Sequence, residues 1–385
     1  IKGIITGDEE MNFIDILKRN IKKLTKSDVK VIILTIIVIV SMLMPSSYIR
    51  KEAIHGKITE VENKEGEKGQ LSRSKVKVKI LNGKYKDKVI DMDNLVSDKT
   101  YHETYAKKGN EVLINIEEDD KGNIKKAYIY EVVRYKYLKG IIILFLVLLS
   151  LLGGMQGIRS VLALLITTYA VLKVLIPLIM VGFNPILVSI IICIGVSILN
   201  LLIISGKNKK SYAAIIGTLG GVMVAGIIAL ISSNILQVIG LTDEEAQMLI
   251  YITGNPKFNF KGLLFSGILM GALGAVMDIS MSIASSMKEV KINNPDISKK
   301  QLVKAGFNVG RDIMGTMANT LILAYAGGAM YTLLLISSYK LPFERMLNQD
   351  VMAAEIIQAL CGSIGLIFTI PITTLAVSLI GVDKE

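Results

Sequence analysis

The chain has 385 residues, 51% of them hydrophobic, a mean hydropathy of +0.52 and a net charge of +11. Charge is concentrated at the front: residues 1 to 140 carry 28 of the 44 Lys and Arg and 21 of the 33 Asp and Glu. An apolar back half of this kind belongs to a polytopic membrane protein, and positives interleaved with acids, without an aromatic stacking pattern, exclude a nucleic-acid partner in favour of lipid headgroups.

The chain begins at Ile1, and Gly7-Asp8-Glu9-Glu10 reads like a translated ribosome-binding stretch, which makes Met11 the expected start. From there Phe13, Ile16, Leu17, Ile21 and Leu24 share one helical face, with Lys18, Arg19, Lys22, Lys23 and Lys26 opposite. Residues 1–28 are thus expected as a cytoplasmic segment whose basic amphipathic helix lies on an anionic leaflet. Residues 29–45 follow as a transmembrane signal anchor, uncleaved because Met42-Leu43-Met44-Pro45 offers no small-residue cleavage site.

Residues 46–137 are expected outside as a β-rich domain. Strands are predicted at 54–61, 76–81, 88–92, 111–117 and 124–130, with hairpin turns at Asn82-Gly83 and Lys121-Gly122-Asn123. Val76, Val78 and Ile80 alternate with lysines, so each strand is half buried. Five short strands suit a small barrel, shaped like an oligonucleotide-binding fold, a likeness that carries no ligand. The basic run Arg73, Lys75, Lys77 and Lys79 reads as a solvated sheet face.

The remainder, 138–385, reads as a seven-helix membrane domain, since about 20 apolar residues cross a bilayer. Spans fall near 138–156, 158–181, 185–205, 212–240, 262–286, 313–337 and 356–380, making eight α-helical crossings with the anchor. Lys and Arg cluster in alternate short connections: Arg159, then Lys207, Lys209 and Lys210, then Lys288 through Arg311. That bias puts both termini in the cytoplasm. After Thr242 a short outer interfacial helix is expected, because Thr242 and Glu245 have capping-box spacing. Cys193 and Cys361 both fall inside apolar spans, which leaves neither a disulfide framework nor a cysteine metal knuckle.

Polar side chains interrupt these spans at Lys173, Asp278, Asn319 and Gln358. A charge in hydrocarbon costs about 3 kcal/mol on insertion scales, so such residues mark function. Gly267, Gly271, Gly274, Asp278, Met281 and Ser285 recur at steps of four and three, and Asn308, Arg311, Gly315 and Asn319 form a second stripe. Glu355, Gln358, Gly362, Gly365 and Thr369 form a third. Three helices with small, polar faces imply a common interior. Asp278 lies roughly 7 Å to the cytoplasmic side of the midplane by helical rise, within reach of Arg311, so a structural ion pair between them is expected. Lys173 lies one turn after Tyr169, and Pro177 has no N–H for the carbonyl of residue 173.

The stretches Gly271-Ala-Leu-Gly-Ala-Val-Met-Asp278, Phe307-Asn-Val-Gly-Arg-Asp312 through Asn319, and Ala324-Tyr-Ala-Gly-Gly-Ala329 resemble the YibE/F family of bacterial membrane proteins. The resemblance runs from about residue 110 to 380. It implies a multi-pass plasma-membrane protein of a Gram-positive bacterium and leaves the chemistry open.

No HExxH or Walker sequence is present, and His55 and His102 both lie outside the membrane half, so no enzyme, catalytic residue, cofactor or metal site is expected. Asp278 and Asp312 lack the setting of an aspartyl protease dyad, and Met277, Met281, Met314 and Met317 read as packing rather than a soft-metal track. Two functions remain. One is a permease of an ion or small solute whose path uses Asp278, Asn319, Gln358 and Lys173. The other is a non-transporting scaffold or envelope assembly factor that binds an envelope protein through its outer β domain. A homo-oligomer is compatible with both. Topology is directly checkable: among Asn82→Cys, Asn208→Cys, Asn294→Cys and Asn348→Cys, an impermeant thiol reagent on whole cells should label only the first and last.

Overall fold

The computed structural model describes residues 54–62, 72–96, 107–119, 124–240, 246, 248–251, 258–339 and 341–381. The expected basic N-terminal helix, the signal anchor at 29–45 and the 121–123 turn lie outside the described residues. The chain divides into two units, Met42–Leu148 and Leu149–Glu385 together with Ile1–Ser41.

In the first unit the five strands are β1 (Ile54–Glu62), β2 (Ser72–Ile80), β3 (Val89–Val96), β4 (Glu111–Glu118) and β5 (Ile124–Val132). They form one antiparallel sheet in the order β3-β2-β1-β4-β5. Its outer strands β3 and β5 approach each other, so the sheet curls into a half-barrel. Register shifts between Ile58 and Glu60 and between Leu113 and Ile114 supply local twist. Alternation puts Ile58, Val76, Val78, Ile80, Met92, Val112 and Ile114 in the core. Gly56 is required there, because a Cβ would strike Ile114 and Val78.

Acids lie opposite or beside the lysines of β2. Lys75 stands between Glu62 and Asp93, and Lys77 between Glu60 and Asp91. Lys77 Nζ lies 2.7 Å from Glu60, and Lys79 Nζ lies 2.9 Å from Asp87. Each ammonium holds its partner's carboxyl below the usual carboxylate range, chiefly by hydrogen bonding. The face is a solvated, charge-paired sheet surface.

Helices follow: α1 (Tyr135–Tyr169), a π-helical turn (Ala170–Leu175), α2 (Ile176–Val181), α3 (Pro185–Ser205), α4 (Lys209–Ile235), α5 (Phe260–Asn293), α6 (Lys299–Gly328), α7 (Met330–Ser338), α8 (Phe343–Leu347) and α9 (Asp350–Ile380). Their starts are written locally. Asn184, Asn208, Asn259 and Ser298 each accept a backbone N–H from the first turn, and Ser298 forms a reciprocal capping box with Gln301.

Five helical segments are long and apolar enough to cross a membrane, or six if the bent pair α6 and α7 is one span. The first of them, Tyr135–Val181, has 47 residues. At 1.5 Å per residue it would be about twice the hydrocarbon thickness if straight. It is broken at Gly154, whose φ of 55° and ψ of −135° are not helical. Gly157 then presses on the Leu149 carbonyl. The expected eight crossings count this stretch as two and include the anchor, which is not among the described residues.

One expectation is corrected. The span at 313–337 is not one helix: α6 begins at Lys299, and α7 leaves it at an angle of 62° just after Gly327-Gly328. Small residues there leave the backbone free to bend. Of the short helix expected after Thr242, Ala246 and Met248 are helical and Leu249–Tyr251 forms a 3-10 turn, and the rest lies outside the described residues.

In the second unit α4, α5 and α9 pack on one another most extensively, with α6 against α9 and α5, and α3 against α5 and α4. The α4 to α9 seam is built from small residues. A Cβ on Gly217 would enter Thr373, one on Gly221 would enter Thr369 and approach the Gly365 carbonyl, and one on Gly365 would meet Ala225. Backbones in such close approach gain the van der Waals contact that drives helix association in lipid. Gly274 on α5, by contrast, has nothing within 4 Å of where its Cβ would be. Gly221→Leu should therefore cost about 1–3 kcal/mol by overpacking and lower the unfolding temperature in detergent, while Gly274→Leu leaves it unchanged.

Candidate functional site

Asp278 lies on α5, and Arg311 and Asn319 lie on α6. The apolar residues of α5, including Ile268, Leu269, Ala272, Val276, Ile279 and Ile283, turn inward. Gly267, Gly271, Gly274, Asp278 and Ser282 are left exposed on the opposite stripe. On α6 the buried stripe is Leu302, Gly306 and Gly310, with Gly306 against Met287 and Thr374 and Gly310 against Ile370. Its other side exposes Asn308, Arg311, Asp312, Gly315, Thr316, Asn319 and Thr320. Thr316 and Thr320 donate to the carbonyls of Ile313 and Thr316, so those hydroxyls are satisfied within the helix. Asp278, Arg311 and Asn319 make no such local bond among the described residues.

Relative depth follows from two contacts. Gly271 abuts Tyr325, and Gly306 abuts Met287. Between these fixed layers the antiparallel helices bring Asp278 level with about residues 316 to 317 of α6, and Asn319 within one turn of it. Asp278 and Asn319 thus occupy exposed faces of adjacent helices at adjoining depths. Gln358 lies roughly two turns nearer the opposite end, half-buried on α9. It stands beside the buried Tyr325 hydroxyl. Lys173 is elsewhere: it sits half-buried in the π-helical turn, which packs against α3. There Ile176 N–H donates to the carbonyl of Val171, a wider turn than an α-helix, just before Pro177. Of the four expected path residues, Asp278 and Asn319 come together, and Gln358 and Lys173 lie apart from them.

The expected ion pair between Asp278 and Arg311 is not formed. Neither residue belongs to the ion pairs seen among the described residues, which include Lys77–Glu60, Lys79–Asp87, Lys84–Glu118 and Lys136–Glu111. Arg311 stands about five to six residues nearer the start of α6 than the level of Asp278, and both residues lie on exposed faces of their helices. Met277, Met281, Met314 and Met317 pack against the hydrophobic core. Among the described residues no three His, Cys, Asp or Glu side chains come together as metal ligands, and Cys193 and Cys361 are buried and unpaired with each other.

Sequence patterning missed the interior polar contacts. Thr218 on α4 and Ser280 on α5, both fully buried, share a hydrogen bond of 2.6 Å, and Ser280 also donates to the Met277 carbonyl. Asn200 on α3 donates to Thr167 on α1 at 2.8 Å. These interhelical bonds are polar glue. Their signal was weak because Ser and Thr are common on outer faces too. Tyr325 was findable: it is the one aromatic in Ala324-Tyr-Ala-Gly-Gly, set opposite the glycine stripe of α5.

The YibE/F-like protein family matches residues 141–382, and the YibE/F family N-terminal domain matches residues 51–132. These helices and this sheet therefore define a family of membrane proteins with an N-terminal β unit. The chain belongs to the YibE/F family. The match takes in the whole β unit, where the resemblance read from the residues began only near 110. No curated protein and no solved structure matches it.

Because Asp278 and Arg311 share no partner, the destabilisation by Asp278→Asn and by Arg311→Gln should add to within about 0.5 kcal/mol in the double variant. Chemical unfolding of the three purified variants beside the parent checks it.

Proposed function

We propose that this protein is a permease of an ion or small solute in the bacterial plasma membrane, its path running along the exposed polar face that α5 and α6 share. One observation carries the reading: Asp278 and Asn319 lie together at membrane depth on faces where Gly267, Gly274 and Gly315 leave open space. A carboxylate held in an apolar span is stabilised by a hydrated path, whereas packing alone is served by Ser or Asn at lower cost. The break between α6 and α7 supports the same reading, since discontinuous helices free backbone groups that transporters use at their sites. Eight crossings, with both termini cytoplasmic, complete the proposed topology. It rests on the alternating Lys and Arg of the connections and on the break at Gly154. The reading contains no catalytic step and needs no cofactor.

The scaffold reading draws on the β unit. Tyr130 on the outer strand β5 is 64% exposed, and an outer strand with an exposed aromatic suits docking of an envelope protein. The two readings separate on Asp278. In proteoliposomes, Asp278→Ala should abolish proton or ion flux supported by the parent while its unfolding temperature stays within a few degrees. Flux unchanged in the variant, with Tyr130→Ser releasing a co-purifying envelope protein, would leave the scaffold as the function.

A further inference from the structure

Away from the Asp278 face, α6 and α9 enclose a cleft of about 280 Å³. Phe307 and Met314 form its α6 wall, and Ile367, Ile370 and Pro371 its α9 wall, with Phe368 at the edge. Apart from one group the lining is apolar, and that group is Arg311. Arg311 also stands at a boundary in the sequence. Lys299, Lys300 and Lys304 precede it on α6, and no charged residue follows Asp312 through Gly328. The guanidinium therefore marks where the lysine-bearing end of α6 passes into its apolar length, at headgroup level.

We infer that this cleft is a binding site for an anionic phospholipid, with an acyl chain between α6 and α9 and the headgroup phosphate on Arg311. Three observations converge. The cleft is apolar and opens to the side of the bundle, where acyl chains are the solvent. Its one charge is a guanidinium, whose planar donors match phosphate oxygens in pairs. No acidic side chain pairs with Arg311 among the described residues, so its charge at this depth is left for an external anion. Pro371 contributes shape: its ring stands in the helix wall and denies the Ile367 carbonyl an N–H, beside the close approach of Gly310 to Ile370. Arg311 is not part of the proposed path, so the lipid site stands or falls independently of transport.

The test uses the full chain in nanodiscs of equal phosphatidylglycerol and phosphatidylcholine, released into mild detergent and weighed by native mass spectrometry. The parent should retain phosphatidylglycerol in preference to phosphatidylcholine. Arg311→Gln should lower that retention about tenfold, the loss expected for one charge-assisted hydrogen bond, with Arg311→Lys recovering part of it. Lys300→Gln, which removes a basic residue outside the cleft, should change nothing. Ile367→Trp fills the cleft with the charge intact and should also lower retention. Equal retention of both lipids by the parent, or undiminished phosphatidylglycerol in both Arg311→Gln and Ile367→Trp, overturns the inference. Unfolding temperatures measured alongside show that each variant scored is folded.

Discussion

The membrane half depends on one contact surface, the seam where α4 and α9 meet through Gly217, Gly221, Ala225 and Gly365. In lipid, apolar side chains gain nothing by leaving one hydrocarbon for another, so helices hold together through close approach and interhelical hydrogen bonds. Glycine makes that approach possible. Thr369 and Thr373 fill the space left by the missing side chains of α4. Once α4 and α9 are locked, α5 closes the central trio through the Thr218 to Ser280 bond, and α6 adds on through Gly306 and Gly310.

The same residue type serves two ends in this fold. On α4, and on the inner side of α6, glycine is filled by a neighbour and is structural. At Gly267 and Gly274 on the outer side of α5, and at Gly315, glycine is met by nothing, and there Asp278 and Asn319 stand exposed. Adhesion accounts for the first set. The second set, combined with a carboxylate, is where a solute path is proposed. The break between α6 and α7 lies on the helix that carries half of that face.

Arg311 and Asp278 illustrate how a helical stripe differs from a contact. Both were placed on polar stripes by spacing, and rise per residue brought them within reach. Helix rotation decided otherwise: α6 turns Gly306 and Gly310 to its neighbours, which swings Arg311 towards the α9 cleft. Spacing fixes which residues share a face and leaves open which neighbour that face meets. Gln358 shows the same limit along the axis, since its stripe matched those of α5 and α6 but its depth belongs to the Tyr325 layer.

By itself the sequence determined the membrane class, the five strands with their buried alternation, the apolar lengths of the main spans, and the family. Those properties are local: period-two and helical patterns, caps and span lengths depend on near neighbours in the chain. Tertiary structure alone decided which glycines are filled and which are open, that Lys77 and Lys79 of β2 pair with Glu60 and Asp87, and that α6 breaks before α7. It also set Lys173 against α3 rather than with Asp278. Each of these depends on the rotation and depth of one helix or strand against another, set by packing between residues far apart in the chain, and no pattern within a single element carries it.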